Sequence, residues 1–220
     1  MIGLLDRLHA RARASPLLYR IVLATRCLFA MAFIPTGFVK FLGERFTVIS
    51  TESPIGAFFE AMYQTGGYWR FLGATQVVAG VLMLMPRSAT LGAVVFFPVA
   101  LNIFVITVAL GFRGTPFITA PMLLAAAALL AWDWDRLRGV VTARPPAVAV
   151  GAPPRVDRLG PPWERAAYVV GTAAGLYFFA LVRGLAPPGG TAVAIAIGGA
   201  AALVAAVGAV RAGWRVPSRR

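Results

Sequence analysis

Residues 17–39 read LLYRIVLATRCLFAMAFIPTGFV, twenty-three positions that are almost wholly apolar. As a helix rising about 1.5 Å per residue, this run is about 33 Å long and crosses the hydrocarbon core of a bilayer. Ser15-Pro16 marks its start. The hydroxyl can cap the first turn, and proline lacks an N–H that would be unpaired there anyway.

Further apolar runs follow at roughly 68–85, 89–110, 117–134, 163–184 and 190–212. Tyr68, Trp69, Trp132 and Trp134 stand at run ends, where aromatic side chains favour the headgroup belt. Of the 220 residues, 59% are hydrophobic and 13% charged, against about 25% charged in a soluble domain. The expected fold is all-α: a polytopic membrane protein with a four-helix transmembrane bundle and two additional transmembrane helices.

The formal net charge is +13. Such a charge can signal nucleic acid, but most arginines lie between apolar runs or at the chain ends, which argues against that partner. With the N-terminus inside, only Lys40, Arg45, Arg70, Arg113 and Arg183 fall in outer segments and Arg26 falls within a span. The remaining cations lie on the inner side, as the positive-inside bias requires for an even number of spans. The expected location is the bacterial inner membrane, with both termini cytoplasmic. The first apolar run lacks an obvious small-x-small cleavage site and reads as a retained anchor.

The units between spans differ. Residues 1–16 form a basic interfacial segment, with Ile2, Leu5 and Leu8 on one helical face and Arg7 and Arg11 on another. The four-span module covers 17–138. Within it, Ser53-Pro54 opens a short helix at 54–64, too short to span and expected at the outer interface. Residues 139–162 hold the pairs Pro145-Pro146, Pro153-Pro154 and Pro161-Pro162, and read as a cytoplasmic linker. A two-span hairpin at 163–212 and a basic tail at 213–220 complete the chain.

Six residues are candidates for ligand binding. Arg26 lies about 15 Å into the first span, where a charge must pair, snorkel or face a wet cavity. Gln76 is its expected partner in depth. Asn102 lies farther out, and a polar pocket could join it to Thr107 or Thr36. Lys40, Glu60 and Arg70 gather at the outer mouth, where Glu60 is expected to pair with Lys40 or Arg70. Each also has a plain structural reading as interhelical hydrogen bonding or interfacial charge. Cys27 reads as a small packing residue, and the single cysteine excludes an internal disulfide. His9, the one histidine, lies outside the spans. No metal cluster, paired acidic site or nucleotide loop is visible, and acidic residues are not expected deep in the spans.

The stretches RCLFAMAFIPTGFVKFLG (26–43), PIGAFFEAMYQTGGYWRFLGATQVVAG (54–80), PRSATLG (86–92) and FFPVALNIFVITVALGFRGTP (96–116) together resemble the DoxX-like family of small bacterial membrane proteins. The resemblance covers roughly 20–138 and carries over to Arg26, Gly37, Lys40, Gln76 and Asn102. It implies a four-helix membrane module and an association with redox work. A redox component would hold an isoprenoid quinone or a polar lipid near Arg26, Gln76 and Asn102, with a partner protein as the electron source. The chain departs from the family in its proline-rich segment, its two further spans and its lack of a dithiol. Besides a redox-associated protein that binds quinone or a polar lipid, two readings stand: a transporter of a small anion or amphiphile, and an anchor or assembly subunit without chemistry of its own. Membrane lipid is the expected contact under all three, and a homo-oligomer is compatible with each.

Overall fold

The computed structural model describes residues 2–142, 156–186 and 190–214. Their regular structure is helical: α1 (Ile2–Arg13), α2 (Pro16–Leu42), α3 (Pro54–Gln64), α4 (Gly67–Leu84), α5 (Ala89–Ala109), α6 (Pro116–Trp132), α7 (Trp134–Thr142), α8 (Pro162–Val182) and α9 (Thr191–Trp214). Residues 143–155 and 215–220, which include most of the expected linker and tail, lie outside the described residues.

Local chemistry sets the boundaries. The Ser15 hydroxyl accepts from the Leu18 N–H, and the Ser53 hydroxyl accepts from Gly56 N–H, each just before a first-turn proline. α2 ends at Gly43, whose φ of 83° is left-handed and whose N–H closes on the Lys40 carbonyl. Glycine adopts that conformation without a Cβ penalty.

α2, α5, α8 and α9 are long and apolar enough to cross a membrane. The chain is an all-α, multi-pass membrane protein, and its many exposed apolar side chains, such as Phe117, Leu124 and Leu203, are its lipid-contacting surface. α6 is apolar but has 17 residues, and α4 has 18 and carries Arg70 and Gln76. Both match the lengths expected from sequence to within a residue, but they fall outside the four helices that are long and apolar enough to span.

α4 runs antiparallel along α2. A Cβ on Gly37 would meet Gln76 and Gly73, and one on Gly80 would meet Ile34 and Ala30. Such small residues let helix backbones approach where lipid supplies no hydrophobic drive. α5 and α6 complete the module. Phe29, Phe33 and Phe96 form its aromatic centre, with ring centroids 4.6 and 4.7 Å from Phe96. Each such pair is worth about 0.5–1.5 kcal/mol. Met83, Leu129 and Trp132 extend this core.

α8 runs parallel to α2 and α9 returns along both. Gly171 faces Ala201 of α9, and Gly175 faces Met31 of α2. The hairpin is thus seated on α2. We call the end of the bundle at Ser15, Trp132 and Pro162 proximal, and the end at Gly43, Gly67 and Val182 distal.

Candidate functional site

Three places concentrate polar or open chemistry: a proximal ionic network, a buried distal lysine, and a groove between α2, α8 and α9.

At the proximal end, Arg26 donates from Nη2 to Asp133 at 2.8 Å. Asp133 also accepts from the Thr90 hydroxyl at 2.9 Å and lies 3.8 Å from Arg13. Arg136 donates to Thr90 in turn. An unpaired arginine at the bilayer centre costs about 2.5–3.5 kcal/mol on insertion scales, so this carboxylate explains how Arg26 is tolerated. Gln76 is not its partner. α1 docks here rather than floating on lipid: Asp6 pairs with Arg138, His9 meets the Trp132 carbonyl at 2.9 Å, and Arg13 pairs with Asp157.

Arg20 grips Glu164 of α8 through two hydrogen bonds, Nε to Oε1 and, at 2.7 Å, Nη2 to Oε2. Glu164 is fully buried. Two acids, Asp133 and Glu164, are buried. Both sit at helix ends in sequence, yet both are covered by packing. Their burial was invisible because the arginine that pairs with each lies more than a hundred positions away.

At the distal end, Lys40 is 5% exposed. Its ammonium donates to Gln76 Oε1 at 3.1 Å and to the Thr36 carbonyl at 3.3 Å. Two candidates from the sequence, Lys40 and Gln76, therefore meet, while Arg26 stands apart. The ammonium also lies 4.0 Å from the Phe46 ring centroid and 5.6 Å from that of Trp69. Glu60 pairs with Arg45 through two 2.9 Å hydrogen bonds, not with Lys40 or Arg70. The guanidinium holds this carboxyl below the ordinary carboxylate value. Arg70 is exposed, and its Nε and Nη2 would lie 3.0 Å from a Cβ on Gly43. With Trp69 and Tyr63 it lines a 430 Å³ cavity. Asn102 is exposed on α5. The Thr107 hydroxyl meets that of Thr119 of α6 at 2.9 Å.

The groove between α2, α8 and α9 has a volume of 480 Å³, inside the range of about 300–1,000 Å³ typical of small-molecule sites. Its walls are mainly small residues: Ala24, Gly171, Gly175, Gly198, Ala201 and Ala205, with Cys27 and Met31 from α2. Along α2 it runs from Arg20 to Met31, about 16 Å. Ile21 and Leu28 on its edge are 50% and 60% exposed, so it opens sideways toward lipid. Its proximal end is polar, formed by Arg20 and Tyr168, whose hydroxyl donates to the Arg20 carbonyl at 3.3 Å. The run of alanines on both α8 and α9 was the available signal of this groove in the sequence. Among the described residues, no group of acidic, histidine or cysteine side chains could hold a metal.

No family model matches this sequence, and no solved structure does. A curated relative, the uncharacterized protein YwoB of Bacillus subtilis (strain 168), is 28% identical over 126 residues. The match covers 54% of this chain and 81% of the relative.

Proposed function

We propose that this chain is a bacterial inner-membrane protein of six spans, with both termini cytoplasmic, that holds a membrane amphiphile in the groove between α2, α8 and α9. The occupant is a polar lipid or an isoprenoid quinone, its chain along the alanine-lined wall and its polar group near Arg20 and Tyr168. The observation that carries this reading is the 480 Å³ apolar groove, open to lipid and polar at one end. Small side chains on α2, α8 and α9 keep this groove unfilled.

The six-span count draws support from packing. α4 follows α2 from Gly37 to Ala30, and α5 and α6 are joined by Thr107 and Thr119. Short spans embedded among longer ones are accommodated by local bilayer thinning or by snorkelling of flanking residues. The cationic bias supports the proximal end as cytoplasmic. The likeness of residues 20–138 to DoxX-like proteins enters as part of the proposal, and with it a partner protein as electron source if the occupant is quinone. YwoB carries no stated activity and adds none.

The test is purification in mild detergent with mass-spectrometric identification of bound lipid and quinone. Ala24→Leu and Ala205→Leu each fill the groove with added side-chain volume. The expected result is a co-purified amphiphile in the parent protein and its loss from both variants, with an unchanged or raised melting temperature. Equal ligand content in all three proteins would refute the groove as the site.

A further inference from the structure

We propose that the distal end contains a second, separate site, which binds a phosphate oxyanion between Lys40 and Arg183 when the Phe46 ring moves aside. Phe46 lies on the segment joining α2 to α3. Its ring centroid is 4.0 Å from the Lys40 ammonium and 4.5 Å from the Arg183 guanidinium. Arg183 also donates from Nη1 to the Phe46 carbonyl at 3.2 Å, while its buried Nε has no hydrogen-bond partner.

Two cations on one ring repel each other, and more strongly because Lys40 is almost wholly withdrawn from water. A ring face compensates them only weakly, because cation–π attraction is softer than a charge-assisted hydrogen bond. Among the described residues, Lys40, Arg70 and Arg183 form no ion pair, and the nearby carboxylate of Glu60 is taken by Arg45. The distal end therefore holds excess positive charge around a removable aromatic plug. An oxyanion in the place of the ring reaches both cations, and the free Nε of Arg183 supplies a ready donor. The 430 Å³ cavity lined by Arg70 shares Trp69 with the surroundings of Lys40 and gives an approach from the distal surface. Phosphate suits this arrangement because it accepts from several donors at once. It can come from a lipid headgroup or from free phosphate.

The experiment measures melting temperature in nanodiscs along two arms. One titrates inorganic phosphate in phosphatidylcholine discs against chloride of equal ionic strength. The other replaces phosphatidylcholine with phosphatidylglycerol without added phosphate. The expected result is a saturable stabilisation in at least one arm, and the responding arm identifies the source. Phe46→Ala responds at lower concentration. Lys40→Met and Arg183→Gln each respond about tenfold more weakly, the size expected for one charged hydrogen bond. Lys40→Met removes a buried charge outright, a change that folded proteins often tolerate, and Arg183→Gln tests the site from the other module. Absence of a response by Phe46→Ala in both arms overturns the proposal. So does a full response retained by both cation variants.

Discussion

Asp133 serves Arg26 and Thr90 at once and stands close to Arg13. Removing one partner of a buried ion pair is more damaging than removing both, since the remaining charge is left uncompensated. Asp133→Ala is therefore expected to destabilise the protein by about 3–5 kcal/mol, measured as denaturant unfolding in detergent. The double change Arg26→Met with Asp133→Ala should recover part of that loss. A single-variant effect within experimental error would show that Arg26 finds its compensation elsewhere. Arg26, Lys40 and Gln76 were legible in the sequence, but Asp133 was not, and the pairing of Lys40 with Gln76 was not foreseen. Depth along a helix was counted from backbone positions, whereas long helical side chains lean toward the helix N-terminus. Arg26 therefore reaches back to the proximal end and Asp133. Lys40 turns back to the Thr36 carbonyl and Gln76, so the residue expected at the mouth is the buried one.

Helix α4 depends on glycine where it crosses α2. A Cβ on Gly73 would meet the Gly37 carbonyl and lie 2.5 Å from the Phe41 nitrogen, whereas one on Gly67 would meet nothing within 4 Å. Backbone cannot yield as a flexible side chain can. Gly73→Ala is expected to separate the two helices, lowering the melting temperature by several degrees and weakening the Lys40–Gln76 hydrogen bond. Gly67→Ala should leave the melting temperature nearly unchanged, and equal effects would contradict the close crossing. Element boundaries were well anticipated where caps announce them. Ser53-Pro54 opens α3 as expected, and Ser15-Pro16 opens α2. The expected ends of the fourth span overran because Trp132 and Trp134 look alike in sequence, although the backbone breaks between them at Asp133. Nothing in a hydropathy pattern tells which helices touch, so the groove of α2, α8 and α9 stayed hidden.

Across the whole molecule, the orientation rests on charge asymmetry, and it can be read directly. In a Cys27→Ala background, Glu52→Cys should react with a membrane-impermeant maleimide on intact cells. Arg158→Cys should react only after permeabilisation. The reverse pattern would invert the proposed topology. The hairpin of α8 and α9 joins the earlier helices chiefly through α2, and Arg20 and Glu164 are the charged part of that junction. The two residues are separated by 144 positions, which orders events at the ribosome. Arg20 is made long before its carboxylate has been synthesised, so the nascent four-helix portion carries a guanidinium without its counter-charge at the proximal end until that hairpin arrives. A message truncated before codon 162 leaves that guanidinium permanently without its carboxylate, and the cell's membrane quality-control proteases would meet a product that has kept most of its helices and lost its closing piece.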